Sequence, residues 1–302
     1  MFFVNVPVGL ALLAALPATV AAHPRPGGKG RPRVDVLGAL TVTAATGSLV
    51  YGLVTAGDEG WGSAETLVPL AAAMVLYVAF ALVERTVRSP LMHVGMLKRR
   101  PVAVGAFLML VGSGLLISLF FLGSLYLQHL RQLSALETGL LFLPAALATG
   151  AGAHLASRLV GRLGIRPVAA TGLALVAIGT GLLTRLSADG GVLTELLPGL
   201  VIAAAGVGPV FVTATVSALA YVDHGEEGLA SGVINTFHEL GGAIGVATAS
   251  TLAVAGLTGA PSIGGFTDAF TATAVAAAAA ALLALVLVPP GKPQMSGTPH
   301  SH

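Results

Sequence analysis

Long apolar stretches alternate with short polar ones along the whole chain. The apolar runs fall at about 2–22, 36–56, 66–84, 102–127, 136–157, 167–187, 193–222, 229–257 and 266–288. Crossing a hydrocarbon core of ~30 Å takes about 20 helical residues, and each run is close to that length or above it. Lipid offers no partner to an unpaired backbone N–H or C=O, so every run is expected to be a helix. The expected fold class is therefore all-α, a polytopic transmembrane helix bundle of about nine spans. An odd number of spans puts the two termini on opposite sides of the membrane.

The polar stretches differ in charge from one side to the other. HPRPGGKGRPR, ERTVRSPLMHVGMLKRR, the Arg158–Arg166 turn and the tail together hold 13 of the 15 Lys and Arg. GDEGWGSAE, QHLRQLSALE, LSADGGVLTE and TGAPSIGGFTD hold only Arg131 and Arg185. The positive-inside rule then places the C-terminus in the cytoplasm and the N-terminus outside, in the cell (plasma) membrane. In the outer loops Asp58, Glu59 and Trp61 read as solvated residues with one aromatic anchor, and Glu137 reads as an N-terminal cap on the fifth span.

Composition sharpens this picture. Charged residues make up 9% of the chain, against about 25% in a soluble domain, and mean hydropathy is +0.89. The net charge of +2 and pI near 9.2 do not indicate nucleic acid, because the basic residues sit in short loops where they encode orientation. The absence of cysteine excludes disulfides, thiolate metal sites and cysteine nucleophiles. No G-x-x-x-x-G-K-[ST], H-E-x-x-H or G-x-S-x-G pattern is present, so neither an ATP-driven pump nor a familiar hydrolase has support. The chain is not expected to be an enzyme. His23, His93, His224, His300 and His302 fall in loops or the tail without metal-ligand spacing.

The stretch with the most chemistry is Gly228–Ser250, GLASGVINTFHELGGAIGVATAS. It holds Glu239, the only carboxylate well inside an apolar run. A charge in lipid costs roughly 2.5–3.5 kcal/mol on insertion scales, so such an acid is a site candidate by default. Ser231, Asn235 and Glu239 recur at i, i+4, i+8 and would share one helix face. His238 is adjacent, about 100° further round the helix. Gly241 and Gly245 form a G-x-x-x-G step that points largely away from the polar stripe, where another helix can approach closely. Forty glycines, with Pro144, Pro198 and Pro209 inside spans, fit tight helix packing or bends used in a rocking motion.

Two motifs resemble a known family. FFVNVPVG (Phe2–Gly9) is similar to the entry of the sixth helix of fourteen-helix drug:proton antiporters of the major facilitator superfamily. GLASGVINTFHELGGAIGVA (Gly228–Ala247) resembles the thirteenth helix of the same proteins. A third, weaker match is GAHLASRLVGRLGIR (Gly152–Arg166), similar to the second-half copy of the cytoplasmic loop motif. Arg162, Gly164 and Arg166 fit it, Arg158 adds a further charge, and Gly161 stands where an acidic residue is expected. His238–Glu239 likewise departs from the Arg-Gln-like pair of related proteins. The resemblance implies a partial major facilitator fold covering helices six to fourteen. Residues 1–22 would be the last helix of an N-terminal bundle. Residues 23–100 would be a cytoplasmic linker with a central two-helix insertion, 101–290 a complete six-helix C-terminal bundle, and 291–302 a disordered tail. It also implies proton-coupled efflux of a small, amphipathic or cationic molecule by alternating access. A proton gradient would be the energy source and no cofactor would be needed; the partners would be the substrate and the lipid bilayer, without nucleic acid. Glu239, Asn235, His238 and Ser231 would lie on the substrate or proton pathway. A non-transporting remnant or accessory membrane subunit is the alternative.

Overall fold

The computed structural model describes residues 5–19, 35–86, 99–187, 190–220, 227–257 and 263–290. Outside these lie Phe2–Val4 of the first motif, the basic stretch 23–33, the five loop and tail histidines, and the tail from 291. Among the described residues there are nine α-helices and no strand. They are α1 (Asn5–Thr19), α2 (Val36–Glu59), α3 (Ala64–Thr86), α4 (Arg100–Leu125), α5 (Ala135–Leu163), α6 (Ile165–Leu183), α7 (Leu197–Leu219), α8 (Glu227–Leu257) and α9 (Ile263–Leu287). A π-helical turn at Tyr126–Leu130 extends α4, and another at Val192–Leu196 leads into α7. The fold class is all-α, as the apolar runs require.

Seven of these elements are long and apolar enough to cross a membrane: α2, α3, α4 with its π turn, α5, α6, α7 with its π turn, and α9. α8 is 31 residues long. The helices bear large apolar side chains on outward faces, among them Leu136, Leu147, Met74 and Val286. In water such a surface would be a liability; against lipid it is the solvent-matched face.

The chain divides into two units, one containing α1 and one running from Asp35 onward. In the second unit α4 packs on α7, α8 and α9, α7 also meets α5 and α6, and α6 lies along α9. One apolar core joins Leu108, Leu173, Val176, Val207 and Ala277. A second, toward the other end of the same helices, holds Leu122, Leu183, Leu196, Leu200, Phe266 and Phe270. Tyr126 belongs to this second core, buried edge-to-face on Phe266 at 5.9 Å.

Small residues set the helix spacing. Lipid removes the hydrophobic drive between helices, so association relies on backbone proximity and hydrogen bonds. Where α4 crosses α8, a side chain at Gly241 would strike the Leu110 carbonyl, and one at Gly245 would strike that of Gly114. Two serines stitch the same crossing: Ser113 Oγ donates to the His238 carbonyl at 2.6 Å, and Ser118 Oγ to that of Gly245 at 3.0 Å.

Helix ends are closed by local chemistry. Ser134 and Glu137 form a full capping box on α5, so Glu137 is the cap its position suggested. Asp35 caps α2 through Gly38 N–H at 2.8 Å. α2 and α3 form a hairpin, with Thr46 and Tyr77 hydroxyls 2.9 Å apart, and α2 lies along α8.

Candidate functional site

A groove of about 380 Å³ opens between α7 and α8, with α4 behind it. α8 supplies Ser231, Ile234, Asn235 and His238; α7 supplies Phe211, Thr215 and Leu219; α4 supplies Met109. The volume falls within the ~300–1,000 Å³ of ordinary small-molecule sites.

Each wall follows from helical spacing. Ser231 and Asn235 are one turn apart on α8, and Phe211, Thr215 and Leu219 repeat every four residues on α7. The Phe211 ring meets the His238 imidazole edge-to-face, 5.6 Å between centroids at 62°. It reaches that position beside Gly112 of α4, where a side chain would come within 3.2 Å of the ring. The bond from Ser113 to the His238 carbonyl fixes the backbone that carries the imidazole. The Thr215 hydroxyl is spent on the Phe211 carbonyl at 3.0 Å. Among the described residues, the side chains of Asn235 and His238 make no hydrogen bond, which leaves an amide and an imidazole for a bound molecule. The groove thus joins apolar walls to one aromatic face, two hydroxyl-bearing side chains (Thr215 and Ser231) and an uncommitted amide and imidazole, fit to hold a small amphipathic molecule and to orient it.

The structure distributes the sequence candidates unevenly. Ser231, Asn235 and Glu239 are all exposed on α8, as a common helix face would have them. The groove takes Ser231 and Asn235 and then His238; Glu239 lies beside it and is not part of its lining. Gly241 and Gly245 sit at the α4 crossing. Arg158 and Arg162 are exposed on the last two turns of α5. Gly164 has φ 87°, the left-handed region that favours glycine, and is the junction between α5 and α6. Arg166 is set apart from the other two arginines. Its Nε donates to the Val288 carbonyl at 2.6 Å, beside Arg100, whose Nε reaches the Leu287 carbonyl at 3.3 Å. Two cations thereby cover the C-terminal end of α9, where the helix dipole favours positive charge. Trp61 is exposed and donates to Thr251 Oγ1 on α8 at 3.2 Å. Met109, Phe211 and Thr215 had drawn no attention as sequence. The available signal was Phe211, the single aromatic residue of α7, with Thr215 four residues on.

Comparison with known proteins agrees with this architecture. The Major Facilitator Superfamily model matches residues 1–246 and 118–301, and the chain belongs to that family. It is 33% identical over 301 residues to the cephamycin export protein CmcT of Amycolatopsis lactamdurans, covering 96% of this chain and 62% of that one. It is 35% identical over 301 residues to the puromycin resistance protein pur8 of Streptomyces alboniger, covering 94% and 58%. It is 34% identical over 287 residues to the lincomycin resistance protein of Streptomyces lincolnensis, covering 90% and 54%. The chain therefore spans a little over half the length of these relatives.

Proposed function

We propose that this chain forms part of an efflux transporter for small amphipathic or cationic compounds in the cell membrane. The observation that carries the reading is the α7–α8 groove, where an aromatic face, apolar walls and the uncommitted side chains of Asn235 and His238 meet. The names of the relatives, which refer to cephamycin, puromycin and lincomycin, support the same class of cargo. In this reading α2 and α3 are the central insertion, α4–α9 are the six-helix bundle, and the C-terminus lies in the cytoplasm. Antiport with protons supplies the energy. Glu239, exposed at the border of the groove, is the group that carries the proton or meets a cationic cargo, because an acid on a lipid-spanning helix is costly unless it is used.

The second reading is a membrane subunit that does not transport by itself. Its specific support is that the groove is walled by helices of one unit only. Expression of this chain alone in a drug-sensitive bacterial host separates the two. Raised resistance to puromycin or lincomycin, abolished by Glu239→Gln at equal membrane abundance, is the outcome expected for a transporter. Resistance that does not change in Glu239→Gln removes the acid from the mechanism. No resistance with normal membrane insertion favours the subunit.

A further inference from the structure

A second cavity, of about 410 Å³, lies among α4, α8 and α9 and shares no lining residue with the groove. Its floor is the contact of Gly114 with Gly241 and Gly245, and its walls include Leu110, Ile244, Leu252, Ala272 and Ala276. Three hydroxyls reach it, from Ser118, Thr248 and Thr273. Each already donates to a backbone carbonyl: Ser118 to Gly245 at 3.0 Å, Thr248 to Ile244 at 2.8 Å and Thr273 to Ala269 at 2.8 Å. A hydroxyl has one proton to give, so the cavity offers a ligand no donor.

That absence disfavours a ligand that brings only acceptors. A phosphate, carboxylate or carbonyl entering the cavity would surrender its hydrogen bonds to water and gain none, a loss of several kcal/mol for a polar group moved to apolar surroundings. An alkyl chain surrenders nothing. The mouth says where the chain comes from. Ile244 and Leu252 are each 37% exposed, and Ala272 and Ala276 are exposed on α9. The same surface of α9 continues through Val275, Leu282 and Val286, all exposed and apolar. The cavity is therefore continuous with the face that meets hydrocarbon, where the ligand at hand is a lipid tail.

We propose that this cavity binds one acyl chain of a bilayer phospholipid, inserted between α8 and α9 from the lipid-facing side. The chain's end lies against the Gly114–Gly241–Gly245 contact, and its headgroup stays outside the slot. The site is independent of the proposed transport activity.

The test uses the full 302-residue chain in nanodiscs of phosphatidylcholine, a fraction of which carries a diazirine at the end of one acyl chain. After irradiation and proteolysis, adducts are located by mass spectrometry. The diazirine sits at the end of the chain, so adducts at Leu110, Gly114, Gly241 and Gly245, at the foot of the cavity, should exceed those at Leu282 and Val286 by about fivefold. Ala276→Trp, which fills the mouth, should reduce the cavity adducts to the level of Leu282 and Val286 without changing the latter two. Adducts spread evenly over α9 in the unaltered protein overturn the proposal, whether or not the filled variant folds. So does a cavity signal that persists in a folded Ala276→Trp protein, and so does a cavity protected by cross-linking to a second copy of the chain.

Discussion

His238 and Glu239 are adjacent in sequence and differ in surroundings. The imidazole faces Phe211 and lines the groove, whereas the carboxylate is exposed beside it and makes no hydrogen bond or ion pair among the described residues. The spacing of Ser231, Asn235 and Glu239 was legible because a helix repeats every 3.6 residues whatever packs against it. The change of partner from Glu239 to His238 was not legible, because it depends on where α7 lies. Phe211 carries no local motif; only its place opposite His238 gives it meaning. These roles predict different defects. Asn235→Ala and His238→Ala should each remove one hydrogen bond to cargo, about 1 kcal/mol, and weaken cargo binding by about fivefold. Phe211→Ala should cost more, since it removes both the aromatic face and the support of the imidazole. Binding of radiolabelled puromycin to the purified protein measures all three, and affinities equal to the unaltered protein would remove the groove from the cargo pathway.

At the scale of elements, each of the nine apolar runs holds one of the nine helices among the described residues, and the differences lie at their ends. α4 begins at Arg100 and α8 at Glu227, each a turn or less before the apolar run, because a helix satisfies its own backbone groups on into the interface. The ends were legible where a cap signature exists: Ser134 and Glu137 stand three apart, and both arms of the box form. Ser134→Ala should destabilise α5 by roughly 1 kcal/mol, seen as a lower unfolding midpoint in detergent. The arginine motif was legible as a pattern, and its division of labour was not. Arg166→Ala removes a charge-assisted bond to α9 and should cost about 1.5–3 kcal/mol, while Arg158→Ala and Arg162→Ala, both exposed, should stay within about 0.5 kcal/mol. Equal losses at all three positions would show that the motif acts through interfacial charge alone. The helix crossings follow the same logic. Gly245→Leu drives a side chain into the α4 backbone and should lower the yield of folded protein far more than Gly139→Leu, which meets nothing.

For the whole molecule, the question is which helices travel together. α8 carries the groove residues on one side and receives the α2–α3 hairpin on another, where Leu53 meets Ala243 and Ala247 and Trp61 bonds Thr251. Nothing local in the sequence announced this contact, since Trp61 and Thr251 are 190 residues apart. The packing makes the hairpin a brace on the helix that supplies Ser231, Asn235 and His238 to the groove. The chain lacks cysteine, which allows a clean test. A Cβ at Gly57 would lie 3.5 Å from that of Ser250, at the short end of disulfide geometry. Gly57→Cys with Ser250→Cys should therefore oxidise to an intramolecular bond, identified as a linked peptide under non-reducing digestion. If the hairpin and α8 move as one body, the oxidised protein keeps the transport or binding activity of its reduced form. If alternating access slides α8 along α2, oxidation blocks activity and reduction restores it. The close contact of Gly57 with the Ser250 hydroxyl and the Trp61 anchor one turn further favour the first outcome, because a sliding pair would have to break both in every cycle.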